Sequence, residues 1–348
     1  MKVVIGDRNL LPHRDLFLSL VEPVNPEVSW HERFDEDTLV DDLADADVLV
    51  GGRCTPAMAQ AGRRLRLVHS GGAGTDKVSF ADLPSETIVA NTFHHEDAIA
   101  EYIAAATVML RRGLIEQDAA LRNGVWATSV YQDGLAQPRT LRGAMIGYVG
   151  FGHIGRRTAN LFGAMGARGC VITGSGRVAD AAGLEWHSDT ADLGRLMKES
   201  EVVVVSAPLT DRTTGLIGAA ELEALGPDGI LVNVGRGPLV VEQALFDALR
   251  DNVIGGAAVD VWYRYPTSGD RAEPSALPFA ELPNLLMTPH TSGVAHDTFV
   301  GRVHDIADNI CRLADGRPLD RVVRPAPTTS VDTSSASIGR RFDLDMNG

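Results

Sequence analysis

Cysteine is scarce in this chain. Three residues of 348, Cys54, Cys170 and Cys311, lie far apart and form no C-x-x-C pair. Neither a disulfide framework nor a thiolate zinc site is expected, and a reducing cytosol is the expected compartment. Long apolar runs are missing as well. The stretch MKVVIGDRNLLPHRD has only three consecutive apolar residues before charge appears, so neither a signal peptide nor a membrane span is expected there. Nothing later approaches the roughly 20 apolar residues of a spanning helix. Basic residues are outnumbered, 32 Lys and Arg against 46 Asp and Glu, for a formal net charge of −14. Without a concentrated basic patch, such a surface repels nucleic-acid phosphate and anionic lipid, so neither is expected as a partner. What remains is 44% apolar and 22% charged, the balance of a soluble globular chain with room for two ordinary domains.

Short β-rich runs alternate with helical patterns along almost the whole length. The first series of strands is expected at Val3–Ile5, Val48–Val50, Leu65–Val68 and Ile88–Ala90, with amphipathic stretches such as Glu36–Leu43 between them. A Pro-free, Ala- and Leu-rich segment, Ala98–Leu114, reads as one long helix. A second series of six strands follows at Met145–Val149, Cys170–Thr173, Val202–Ser206, Ile230–Val234, Ala257–Val261 and Leu285–Thr288. A helical pattern at His304–Leu313 ends in a turn at Asp315–Gly316. Continuous apolar strands alternating with helices predict parallel sheets covered on both faces. After Pro325, PAPTTSVDTSSAS is almost devoid of apolar residues and reads as a disordered tail, 325–348.

One glycine pattern stands out. Gly150-Phe151-Gly152-His153-Ile154-Gly155 matches G-x-G-x-x-G, follows the apolar strand 145–149 and opens a helix with Ile154, Leu161, Phe162 and Met165 on one face. Only glycines let a backbone turn that tightly and approach a pyrophosphate at a helix N-terminus, so a dinucleotide is the expected cofactor. The end of the next strand selects which one. An NAD site usually has Asp or Glu there for the adenosine ribose. Here Thr173-Gly174-Ser175-Gly176-Arg177 offers no carboxylate until Asp180. Hydroxyls and a guanidinium suit a 2′-phosphate, which predicts NADP (NADPH) in preference to NAD.

In an open α/β sheet, ligands bind outside the carboxyl ends of the strands. Past the third strand of the second series come Ala207, Pro208 and Thr213; past the fourth, Val234 leads into Gly235-Arg236-Gly237. Asp260 lies near the end of the fifth, and Pro289-His290-Thr291-Ser292-Gly293 follows the sixth. Arg236 suits an anionic substrate and His290 a proton transfer near neutral pH. Beside a dinucleotide loop they describe hydride transfer to or from a small anionic carbonyl or alcohol.

These motifs resemble the D-isomer-specific 2-hydroxyacid dehydrogenase family. VGFGHIGR, APLTDRTTGLIG, LVNVGRGPLVVEQAL, GGAAVDVW and PNLLMTPHTSG fall in the family's order and spacing, and the resemblance runs from about Val3 to Val323. It implies two doubly wound parallel-sheet α/β domains. A Rossmann cofactor domain, 99–292, would be inserted into a flavodoxin-like substrate domain, 1–98 and 293–324, with hinges near Ala98–Glu101 and Ser292–Gly293. It also implies a homodimer formed through the inserted domain. By resemblance, Arg236 binds the substrate's carboxylate and carbonyl oxygen, and His290 is the acid in reduction and the base in oxidation. Asp260 would sit at the cofactor's nicotinamide end, and Ser292 and Gly293 join the cofactor-binding candidates. Gly72-Ala73-Gly74-Thr75-Asp76 resembles the loop whose N–H groups hold the acid group, and Arg53 and His95 join it as substrate-binding candidates.

Two departures set the chain apart. The family usually has a Glu five positions after the Asp matching Asp260, where it hydrogen-bonds the catalytic His; this chain has Tyr265. A phenol can orient an imidazole but brings no charge to it. Ahead of Ala98-Ile99-Ala100-Glu101, the chain also has Asn91-Thr92-Phe93-His94-His95-Glu96-Asp97 where the family more often has a Pro-Gly loop. His95-Glu96 is not H-E-x-x-H, so no metal is expected; Glu96 could instead supply the missing carboxylate from the other domain. The leading expectation is an NADPH-dependent reductase of small 2-oxo acids. Two alternatives stand beside it: a dehydrogenase of formate, phosphite or a phosphonate analogue, and a dinucleotide-sensing binding protein without turnover.

Overall fold

Two parallel sheets organise the residues described by the structure, a computed structural model covering 1–181, 183–267 and 269–324. The expected tail from Pro325 onward lies outside the described residues. By internal contacts the chain divides into Met1–Thr92 together with the chain from Arg302 onward, and Phe93–Gly301. Both expected hinge positions, Ala98–Glu101 and Ser292–Gly293, fall within the span of the second unit.

In chain order the strands are β1 (Lys2–Ile5), β2 (Glu27–Trp30), β3 (Val48–Val50), β4 (Leu67–His69), β5 (Ile88–Ala90), β6 (Met145–Val149), β7 (Arg168–Ile172), β8 (Leu184–Ser188), β9 (Val202–Val205), β10 (Ile230–Asn233), β11 (Gly256–Val259), β12 (Leu285–Met287) and β13 (Val322–Arg324). The helices are α1 (Arg14–Val21), α2 (Glu36–Leu43), α3 (Pro56–Ala61), α4 (Glu96–Arg111), α5 (Leu114–Arg122), α6 (His153–Ala164), α7 (Leu193–Glu199), α8 (Ala219–Leu225), α9 (Glu242–Arg250) and α10 (His296–Ala314). The segment Ala98–Leu114 is thus not one helix. Gly113 sits at φ +60°, a left-handed conformation that ends α4 before α5 begins.

In the first unit the strand order is β2-β1-β3-β4-β5, all parallel, with β13 antiparallel on the outer side of β5. That is the flavodoxin-like order. Leu39 and Leu43 of α2 and Met58 of α3 pack on Val4, Leu49, Val68 and Val89 of this sheet.

In the second unit the order is β8-β7-β6-β9-β10-β11-β12, all parallel. Among the described residues, seven strands replace the expected six. The additional one, β8, is a half-exposed edge strand with the polar sequence LEWHS, so no continuous apolar run announces it. Strands β2 and β13 escaped notice for the same reason. By contrast, the Val-only β9 is buried along its whole length. Helices α4 and α6 cover one face through Ile99, Ile103 and Phe162; Leu196, Leu222 and Leu245 of α7, α8 and α9 cover the other. The chain leaves β6 towards β7 on one side and returns to β9 on the other. This switch point opens a crevice at the carboxyl ends of β6 and β9.

Candidate functional site

The glycine turn is built into that switch point. Gly150 has φ +92°, and a Cβ on it would stand 2.7 Å from the Ala207 nitrogen just past β9, so no side chain fits there. A Cβ on Gly155 would press on the Gly150 carbonyl at 2.7 Å, which lets α6 start directly against the loop. Around Gly152 a Cβ would meet nothing within 4 Å, and this residue caps α6 without a side-chain hydrogen bond. Open space in front of a helix N-terminus that no side chain caps fits a pyrophosphate. His153 and Ile154 form the first turn of α6, and the His153 ring lies against Phe93 at 4.7 Å between centroids. Beyond β9, the Thr213 hydroxyl donates to the Pro208 carbonyl at 2.7 Å and closes the 208–213 turn next to buried Ala207.

Past β7 the chain makes a turn closed on itself. The Thr173 hydroxyl donates to the Arg177 carbonyl at 3.2 Å, and the Arg177 N–H donates to the Ser175 hydroxyl at 3.3 Å. Ser175 Oγ is thus an acceptor within this turn, whereas the Thr173 hydroxyl commits its proton. His187 of β8 lies 3.0 Å through Nδ1 from the Gly176 carbonyl, a neighbour that sequence reasoning did not foresee. The nearby Asp189 accepts from the Ala191 N–H at 2.9 Å and caps the next turn.

Asn233, buried at the end of β10, shapes the Arg236 turn. Its carbonyl accepts from the Gly235 N–H at 3.1 Å and its amide donates to the Arg236 carbonyl at 3.1 Å. A polar residue ending the otherwise apolar strand ILVN was the signal that could have found it. Arg236 Nη1 donates to the Gly235 carbonyl at 2.8 Å.

His290 lies past β12 with φ +59°, an uncommon conformation for a residue with a Cβ. Fully buried Asp260 maintains it. Its Oδ1 accepts from the Thr288 hydroxyl at 2.6 Å and the Thr291 N–H at 2.8 Å; its Oδ2 accepts from the Ser292 N–H at 3.0 Å. Since Thr288 donates to Asp260, it accepts from Tyr102 of α4 at 2.8 Å. Burial pushes the Tyr102 phenol up to about 12, so this donor stays protonated. Asp260, expected at the cofactor, thus holds the His290 loop in shape.

Trp262, also missed, joins the candidates physically. Its Nε1–H donates to the Thr288 carbonyl at 2.8 Å, and its N–H donates to the Tyr265 hydroxyl at 3.1 Å. Its carbonyl lies 2.5 Å from where a Gly237 Cβ would stand, so glycine is required beside Arg236. Tyr265 turns its ring towards His290, with 5.7 Å between centroids.

The Phe93–Asp97 segment belongs to this same unit rather than to the one that carries Arg53. Buried His95 packs against Gly293, where a Cβ would lie 3.3 Å from the His95 Cβ. His95 Nδ1 is 3.3 Å from the Phe93 carbonyl. The ring of His94, at φ +64°, presses on Gly301, where a Cβ would come within 2.5 Å.

In the first unit, the Arg53 guanidinium lies over the Phe34 ring, 4.4 Å from its centroid. The loop Gly72-Ala73-Gly74 is held from its carbonyl side. Asn91 donates to the Ala73 carbonyl at 2.9 Å, Ser70 donates to the Gly74 carbonyl at 2.9 Å, and the Thr92 N–H reaches the Gly72 carbonyl at 3.3 Å. The N–H groups of Ala73 and Gly74 have no partner among the described residues, an arrangement suited to an anion. Arg302 lays its guanidinium 3.7 Å from a Gly72 Cβ position. Burial pushes the neighbouring Asp7 carboxyl up, against the pull of Asn9 and Arg302.

Comparison with known proteins meets this geometry. Residues 104–292 match the family model for the D-isomer specific 2-hydroxyacid dehydrogenase, NAD binding domain. A glycerate dehydrogenase of Methylorubrum extorquens is 29% identical over 257 residues, 73% of this chain and 77% of that protein. A glyoxylate reductase of Aeropyrum pernix is 31% identical over 64% of each chain. Among solved structures, the NADPH-dependent glyoxylate/hydroxypyruvate reductase SmGhrA of Sinorhizobium meliloti, in complex with NADP and sulfate, superposes with a TM-score of 0.76. It is 25% identical and covers 92% of this chain and 98% of its own.

Proposed function

The chain belongs to the D-isomer specific 2-hydroxyacid dehydrogenase family, and we propose that it is an NADPH-preferring reductase of small anionic 2-oxo acids to D-2-hydroxy acids. One observation carries the reading. Arg236 and His290 stand just past β10 and β12 of the sheet whose β6 ends in the open glycine turn. Gly150, Gly152, His153, Ile154 and Gly155 would hold the pyrophosphate, and Ser175 with Arg177 a 2′-phosphate. Ala207, Pro208, Thr213, Val234, Gly235, Ser292 and Gly293 would line the rest of the dinucleotide's path. A nicotinamide supplies the hydride when bound.

The chain's own residues supply the remainder. The Arg236 guanidinium holds carboxylate and carbonyl oxygen as a fork, drawing electron density from the carbon to be reduced. His290 gives its proton to that oxygen as charge develops and takes it back in oxidation. The unpartnered N–H groups of Ala73 and Gly74 support a role in holding an acid group.

We also propose a homodimer in a reducing cytosol. Val130, Tyr131 and Trp126 are 74%, 67% and 59% exposed on one segment of the second unit, an apolar surface of the kind subunits cover. No described helix is long and apolar enough to cross a membrane, and the three cysteines are free thiols. The deciding experiment follows NADPH and NADH oxidation with glyoxylate, hydroxypyruvate, larger 2-oxo acids and their phosphonate analogues, then assigns product chirality. Faster NADPH oxidation with 2-oxo acids and D products is expected. Turnover restricted to formate, phosphite or phosphonates, or cofactor binding without any turnover, would overturn the reading.

A further inference from the structure

We propose that Glu96 is the carboxylate that positions the His290 imidazolium, replacing the charge that Tyr265 does not bring; this rests on His290 being the proton donor of the reductase reading. Among the described residues, Glu96 has the one carboxylate oxygen that is buried without a hydrogen-bond partner, its Oε2. A buried carboxylate oxygen lacking a donor is costly, and a protonated imidazole relieves that cost. Glu96 opens α4 on the stripe continued by Ala100, Ile103 and Thr107, the face buried against the sheet.

Helix α4 brackets the His290 loop. Tyr102 bonds Thr288, two residues before His290, and His95 packs on Gly293, three residues after it. These anchor points are about 10 Å apart at about 1.5 Å of rise per residue. Glu96 adjoins the second anchor, so the carboxylate and His290 share one helix-bracketed segment of one unit. No movement between units is needed to bring them together.

Several other titratable and charged groups on the surrounding elements have engagements of their own. Asp260 holds the N–H groups of Thr291 and Ser292, and the Tyr265 hydroxyl accepts from Trp262. Asp97 pairs with Arg157, Arg236 donates to the Gly235 carbonyl, and the Phe93 carbonyl and ring engage His95 and His153. Glu101 is exposed.

The test titrates His290 by NMR in the full-length, cofactor-free chain labelled with ¹³C-histidine, the signal being assigned through its loss in His290→Asn. Removing the anion destabilises the imidazolium, so Glu96→Gln should lower the His290 midpoint by about one pH unit. Glu96→Asp, which keeps the charge, should restore most of it, and Tyr265→Phe should leave the midpoint within about 0.3 unit. The kcat/KM limb for reduction, which falls as His290 loses its proton, should move to lower pH by the same amount in Glu96→Gln. An unchanged NADPH Kd and melting temperature establish that the variant is folded, and Glu96→Ala gives a second route to the same shift. A midpoint unmoved in Glu96→Gln and Glu96→Ala, or one that follows Tyr265→Phe instead, overturns the proposal. Absence of turnover with every 2-oxo acid while the midpoint still shifts would reject the reductase reading and leave the Glu96–His290 coupling standing.

Discussion

Asp260 grips the chain on both sides of His290, accepting the Thr288 hydroxyl at 2.6 Å before it and the N–H groups of Thr291 and Ser292 after it. The left-handed backbone of His290 would otherwise relax, since one such residue costs of order 1–3 kcal/mol. The carboxylate is thereby tied to the placement of the imidazole through the backbone.

Asp260→Asn should therefore cost more than a charge. Its new amide would face N–H groups that need an acceptor, and the expected loss is about 1–3 kcal/mol of stability with a kcat drop of at least about tenfold. Thermal unfolding and steady-state kinetics check both parts; wild-type kcat would show that the loop holds itself.

Arg177→Ala should weaken NADPH binding about ten- to a hundredfold and NADH binding hardly at all, because a charge-assisted contact to a 2′-phosphate exists only for NADPH. Fluorescence titration with both cofactors decides it. A wild type that prefers NADH contradicts the premise.

Arg236→Lys should raise the 2-oxo acid KM sharply while the NADPH Kd stays within about twofold, since an ammonium cannot reproduce the fork. Parallel loss of NADPH affinity would reassign Arg236 to the cofactor.

His69 makes the first unit acid-sensitive. Burial holds its pKa down to about 4, below the ordinary 6.5 of a histidine; Nδ1 lies 3.0 Å from the Ser70 carbonyl, and Nε2 faces the Asn309 amide at 3.0 Å. The unfolded chain binds a proton below 6.5 that the folded chain refuses until about 4. Stability is complete above the upper value and should fall by about 3 kcal/mol across that window as pH drops. Denaturant unfolding of wild type and His69→Gln between those pH values measures it, and the variant should show a flatter profile.

Val130→Asp with Tyr131→Ser should shift the proposed homodimer to monomer, because charge and lost apolar area oppose burial of that segment. Sedimentation equilibrium reads the change; identical masses for variant and wild type would place any interface elsewhere.

Local chemistry made much of this protein legible in its sequence. Buried parallel strands write themselves as runs such as Val202–Val205, and a turn without room for a Cβ writes itself as Gly150 and Gly155. The order of those signals was enough for two doubly wound sheets and for Arg236 and His290 at strand ends. Edge strands β2, β8 and β13 were not legible, because half-exposed strands need no apolar run. Gly113 lies inside one continuous helical pattern, because its left-handed turn is a backbone choice that composition does not reveal. Nor could the sequence place Glu96 in the unit of His290, or turn Asp260 towards Thr288 and Ser292. Those relationships join residues 28 to more than 190 positions apart. Only the packing of α4 and β11 around one loop decides where such distant groups meet, because burial and hydrogen-bond partners are set by tertiary neighbours.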